Sequence, residues 1–267
     1  MFDLAEFFNS NLGVALIGGF FGSAGGAWGA QYIAMRSLRH KDVQQDLKHL
    51  NAATLLAMQI ANSALGLKNQ HILPLCRDYD QQLSDYLSER PVLHLLESDR
   101  WQFELNLENL PSFSPSVLPL ENIIVSKIFA TGREISAVSE LIDSISRYKS
   151  AIDTRFEAIK KIEPRMQEPD VLALYFGLPQ TNGITDATYK TSIEALGEYL
   201  DQVIYFSVTL SIDLSARAKR LVDTEHSLFG CSKRPYIVSP DWRSVMDNGL
   251  VPRAENFPRW TGQFKKI

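Results

Sequence analysis

From Phe7 to Met35 the chain carries not one charged side chain, and no other feature of the sequence restricts its fold as much. Residues 12–35, LGVALIGGFFGSAGGAWGAQYIAM, would reach about 36 Å as a helix rising 1.5 Å per residue, enough for a hydrocarbon core of about 30 Å. The expectation is a single transmembrane helix. Asp3 and Glu6 stand where a cleavable signal peptide would carry basic residues, which argues for a retained span. Directly after the run come Arg36, Arg39, His40 and Lys41. Basic residues stay on the cytoplasmic side. The flanks therefore predict a cell-membrane protein with residues 1–11 as a short outer tail, Arg36, Arg39 and Lys41 as a basic collar at the membrane surface, and the bulk of the chain in the cytoplasm.

The glycines of the span are concentrated on one side. At 100° per residue Gly18, Gly22, Gly25 and Gly29 fall within about 60° of one another and Gly26 lies near the edge of that sector, whereas Phe20, Phe21 and Trp28 lie outside it. Gly18, Gly22 and Gly26 make a GxxxGxxxG series, and Gly25 and Gly29 add a second GxxxG. A face without side chains lets helix backbones approach closely in lipid, where apolar burial no longer drives association. This predicts a homo-oligomer. The same glycines do not form a phosphate loop, since GxGxxG is absent and no Lys-Ser or Lys-Thr follows.

The rest of the chain reads as mainly α: the membrane helix continues into an elongated cytoplasmic helical bundle, residues 36–230, followed by a basic irregular C-terminal arm, residues 231–267. No Gly or Pro interrupts residues 30–65, so the membrane helix is expected to extend as a stalk, with breaks at Gly66 and Pro74. Residues 50–67 are also uncharged, but Asn51, Thr54, Gln59, Asn62 and Ser63 are costly in lipid. That stretch is read as core, with Leu56, Ile60 and Leu67 buried. A further helix over residues 75–89 should end at Arg90-Pro91.

Trp101, Phe103, Leu105 and Leu107 alternate with polar residues, the period of a strand with one buried face. This predicts a small β element whose partner is residues 236–239, residues 171–176 or the same strand of a second subunit. Residues 120–163 form the next helix, ended by Pro164. Positions 124, 128, 131, 135, 138, 142, 145, 149, 152, 156 and 159 step by four and three and are apolar at all but Thr131 and Lys149, a coiled-coil-like seam. A broken connector leads to a last long helix over residues 186–229. Its buried side is traced by Ile193, Leu196, Leu200, Val203, Ser207, Leu210, Leu214 and Leu221. One short helix is expected near residues 241–246 in the arm.

Charge and motif content narrow the function. From Arg217 onward ten basic and five acidic residues give +5, which leaves −9 for the rest of a chain whose net charge is −4. That end suits anionic headgroups, or simply a solvated surface; no zinc finger, RNP strand or basic helix accompanies it, so nucleic acid is not expected. Cys76 and Cys231 lack CxxC spacing, which speaks for reduced thiols in a cytosolic setting. HExxH, GxSxG, P-loop and EF-hand patterns are missing, and neither His40, His49 and Asp46 nor His226 and Cys231 have the spacing of an established site. No catalytic residue, metal site or cofactor is expected. The first reading is a single-pass membrane-anchored, oligomerising protein whose helical domain binds a protein partner or signal. The alternative is a pore-forming or membrane-disrupting effector, because a small-residue span suits a ring of close helices with Phe20 and Phe21 facing lipid; in layout alone, with no motif to carry it, a short membrane segment joined to a helical sensor is similar to membrane effectors of bacterial anti-phage defence. A membrane-attached enzyme is the third reading.

Overall fold

The computed structural model describes residues 11–93, 104–229 and 235–264, and at residues 11–27, 89–93 and 228–229 it describes the backbone alone. Helix α1, Asn11–Leu67, runs through the π-helical turn Lys68–Ile72 into α2, Leu73–Leu93. Helices α3, Leu118–Ser126, and α4, Gly132–Ile162, follow. The short α5, Val171–Phe176, precedes α6, Thr188–Phe229, and the C-terminal segment holds α7, Arg243–Asp247, and α8, Pro258–Gln263. The chain divides into two compact units. One comprises Met1–Lys48 with Arg220–Pro235; the other, His49–Lys219 with Tyr236–Ile267, holds most of the core.

Gly66 does not break α1. Proline lacks an N–H and crowds the carbonyl four residues back, which for Pro74 is residue 70. That residue lies in the π turn, where the Leu73 amide bonds to the Lys68 carbonyl, so the wider turn absorbs Pro74 without ending the helix. Likewise α2 continues two residues past Pro91. Within the second unit the uncharged stretch 50–67 packs as core: Leu50, Ala53, Ala57, Ile60, Ala61 and Ala64 are buried, and Leu67 with them, while Leu56 is half-buried.

The expected helix over residues 120–163 is two helices. Thr131 and Gly132, the weak points of the heptad pattern, are the N-cap and first residue of α4. The Thr131 hydroxyl accepts from the Glu134 amide at 3.3 Å, and the Glu134 carboxylate accepts from the Thr131 amide at 2.6 Å, a capping box that starts a new helix. The seam also sits further round α4 than predicted. Leu141, Tyr148, Arg155 and Ile162 are buried at intervals of seven, and Ala137, Ser144, Ala151 and Ala158 form a second buried line. Val138, Ile145 and Ile159 of the predicted seam are buried, but Ile135 and Phe156 are 45% and 43% exposed. Counting only large aliphatics displaced the face, because small Ala and Ser positions are where helices pack most closely.

Helix α6 spans the expected residues, and residues 203–208 are buried on every side. Tyr205 and Phe206 are covered by Phe257 and Trp260 of the C-terminal segment, Tyr205 stacking on Phe257 at 3.9 Å between ring centroids. The arm thus folds back as part of the core, with Trp242 and Trp260 buried and a second short helix, α8, that the sequence reading did not anticipate.

The β element is absent from the described residues. Residues 101–103 lie outside them, residues 104–110 and 236–239 have no strand pairing, residues 171–176 are helical, and the one bridge is an isolated pair, Pro179 with Thr185. Side chains replace the missing partner strand. Arg155 donates to the carbonyls of Glu108 at 2.7 Å and Asn106 at 3.0 Å, and Gln82 donates to Glu104 at 3.2 Å. At the other segment the Asn51 amide donates to the Tyr236 carbonyl and accepts from the Val238 amide, both at 2.9 Å. An alternating sequence buries its apolar face as any strand would, and Leu105 and Leu107 do pack on the core. Its backbone groups still need partners, and here polar side chains on helices supply them.

Candidate functional site

The membrane segment is the first candidate. Among the described residues one helix near the N-terminus is long and apolar enough to cross a membrane, and helices buried in proteins meet the same criterion. Residues 28–39 are exposed without exception. Trp28 is 82% exposed and Ile33 67%, and Tyr32, Met35 and Leu38 are also exposed. On a helix these five side chains spread over roughly 220° of the circumference. A helix apolar around so much of its surface belongs inside other matter, protein or lipid. Gly18, Gly22, Gly25 and Gly26 lie where only backbone is described. At Gly29 a Cβ would meet nothing within 4 Å, so that position is open to a neighbour.

Arg36, Arg39 and Lys41 are exposed on the following turns. In the same unit His40 Nδ1 lies 2.6 Å from the Glu225 carboxylate, which α6 carries and which is only 4% exposed. The Gln44 amide sits 3.0 Å from the other ring nitrogen of His40. A buried carboxylate is costly unless it is paired, so this contact ties α1 to the end of α6.

A second candidate lies within the larger unit, where α6 meets the segment after α7. Tyr205, Val208, Ile212, Met246, Val251 and Pro252 give an apolar lining to a groove of about 470 Å³. That volume lies in the range of small-molecule and peptide-side-chain sites. Its polar edge holds Arg133, bonded to Asp213 at 2.6 Å and lying over the Trp260 ring at 4.7 Å, together with exposed Arg253 and Glu255. Burial pushes the Tyr205 hydroxyl above its ordinary range, so it stays a neutral hydrogen-bonding group. The groove suits an apolar body with one polar end; it has no nucleophile held by a base. Sequence reading did not find it, because it joins residues 133, 205–213 and 246–255, none of which has a local pattern.

Among the described residues no three His, Cys, Asp or Glu side chains gather where a metal could be held. Cys76 is a free thiol whose pKa is raised to about 11, first by burial and then by Asp80 and Asp201, and Cys231 lies outside the described residues. No protein-family model, no curated protein and no solved structure matches this chain.

Proposed function

We propose that the protein is a single-pass membrane anchor that self-associates through the glycine face of residues 12–35 and presents a helical cytoplasmic domain to a protein partner or signal. The observation that carries this is the exposure of Trp28, Tyr32, Ile33, Met35 and Leu38 around one helix, continuous in sequence with the charge-free run. Exposed apolar surface of this kind marks a membrane or protein contact. The basic residues Arg36, Arg39 and Lys41 lie where anionic headgroups would meet them, each contributing on the order of 1 kcal/mol. Gly18, Gly22, Gly25, Gly26 and Gly29 would form the contact between copies. The groove beside Tyr205 is the feature of the larger unit best suited to receive a ligand.

The test is mass measurement of the full chain in mild detergent. Gly22→Leu is expected to reduce the oligomer to monomers while circular dichroism and melting of the helical domain stay unchanged. An unaltered mass overturns the glycine contact. Release of the wild-type chain from membranes by alkaline carbonate overturns the anchor as well.

A further inference from the structure

Tyr205, Val208, Ile212 and Asp213 line one wall of the groove of about 470 Å³, and Met246 with residues 251–255 lines the other. Steps of three and four along α6 put its side chains on one side of the helix. Ile212 and Met246 are 40% and 42% exposed, large apolar side chains open to the groove.

The polar edge keeps hydrogen-bonding capacity of both signs. Arg133 spends Nε on Asp213 at 2.6 Å, and its guanidinium lies over the Trp260 ring at 4.7 Å. These two contacts fix the group, and neither uses its two Nη atoms, which bond to nothing among the described residues. A guanidinium fork held in place suits the two oxygens of a carboxylate. Arg253 brings a second guanidinium to the same edge, exposed and without an ion pair among the described residues. Two acids oppose these cations: Asp213, bonded through Oδ2 alone, and Glu255, exposed and likewise without an ion pair there. Burial keeps Tyr205 neutral, so it leaves the balance unchanged.

Two arginines and two acids cancel. An anion with an apolar body would meet the arginines and be opposed by the acids, and an apolar amine would meet the reverse. A head carrying both charges matches the whole edge. From these groups we infer that the groove binds a zwitterion with a large apolar side chain, a free amino acid such as leucine or a short apolar peptide with both termini free. Its carboxylate meets Arg133 and Arg253, its ammonium meets Asp213 and Glu255, and its side chain lies among Ile212, Met246 and Val251. The space is in the lower part of the range of about 300–1,000 Å³ that small-molecule sites occupy. Such a ligand presupposes that this groove is the ligand site of the larger unit.

The experiment is calorimetric titration of the full chain in lipid nanodiscs with L-leucine and L-leucyl-L-leucine, each against isocaproate, which lacks the ammonium, and isoamylamine, which lacks the carboxylate. At least one zwitterion is expected to bind about tenfold more tightly than either analogue, because each analogue leaves charged groups of the edge unmet. The tighter of the two zwitterions identifies the source, single amino acid or peptide. Arg253→Gln should weaken the zwitterion about tenfold and spare isoamylamine, and Glu255→Gln should weaken it and spare isocaproate. Both side chains are exposed, so circular dichroism and melting should match the wild type. Ile212→Asp should abolish binding of every compound. Equal affinity for zwitterions and analogues would overturn the inference and leave the groove a ligand site. Zwitterion binding that survives Ile212→Asp lies elsewhere and overturns both. Failure of all the compounds to bind overturns the inference outright.

Discussion

Arg155 Nη2 donates to the Asn106 carbonyl at 3.0 Å, although the two residues stand 49 positions apart and the arginine is 97% buried. No carboxylate bonds to this guanidinium among the described residues. Its second arm takes the Glu108 carbonyl, the Tyr189 hydroxyl accepts from it at 3.3 Å, and its charge lies 5.5 Å from the Tyr189 ring. A buried cation here is held by backbone oxygens and an aromatic face.

Removing it should therefore unfasten the extended segment. Arg155→Met is expected to destabilise the larger unit by about 3 kcal/mol, since charged hydrogen bonds contribute about 1.5–3 kcal/mol each and the freed carbonyls are left unpaired. Denaturant unfolding of the full chain in detergent measures the loss. Protease cleavage within residues 104–117 should accelerate in parallel, and unchanged cleavage would contradict the clasp.

Two buried tyrosines should respond differently to loss of the hydroxyl. Tyr189 donates to the Asn106 carbonyl and accepts from Arg155, so Tyr189→Phe should cost about 1–2 kcal/mol. The Tyr148 hydroxyl is buried without a hydrogen-bond partner among the described residues, and Tyr148→Phe should be neutral or stabilising by about 1 kcal/mol. Melting temperatures of the pair, measured side by side, decide the matter.

The α4 capping box gives a third expectation. Thr131→Ala removes the acceptor for the Glu134 amide and should lower stability by about 1 kcal/mol, whereas Thr131→Ser should retain most of it. Glu134 also bonds Arg217 at 2.7 Å. Replacing Glu134 by Ala should therefore cost more than the Thr131 change, because it leaves a guanidinium without its carboxylate as well as opening the cap.

Cys76 should react slowly. With its pKa raised from 9 to about 11, its thiolate fraction at pH 8 is about one hundredth of that of an unperturbed thiol. Alkylation by iodoacetamide at pH 8, followed by mass spectrometry, should run about 100-fold slower than on the urea-unfolded chain. The linked stability change has a definite sign: the folded state holds the proton more tightly, so this contribution is full below pH 9 and is lost as pH rises from 9 towards 11. A rate equal to that of the unfolded chain would show the thiol unperturbed.

Long periodic stretches were legible in the sequence. Helix α6 fits its apolar period within two residues of the expected start, Pro164 marks the end of α4, and the polar residues of 50–67 correctly placed that stretch in the protein core. Local chemistry could also have separated α3 from α4, because Thr131 and Glu134 have capping-box spacing, but an unbroken heptad count passed over them. The shift of the α4 seam was less legible: alanine, serine and arginine are buried there only because facing helices come close and extended carbonyls meet Arg155.

The order of residues along the chain determined that it is predominantly helical and that one end is rich enough in apolar, charge-free residues to make a helix able to cross a membrane, because helical period and hydropathy are properties of neighbouring residues. Tertiary structure decided that the alternating segment at 104–108 forms no strand, that the arm folds onto α6, and that the groove beside Tyr205 exists. Each of these depends on residues tens of positions apart meeting: Arg155 with Asn106, Asn51 with Val238, Phe257 with Tyr205. A backbone carbonyl is satisfied equally by a strand or by a side chain, and only the packed chain determines which of them arrives.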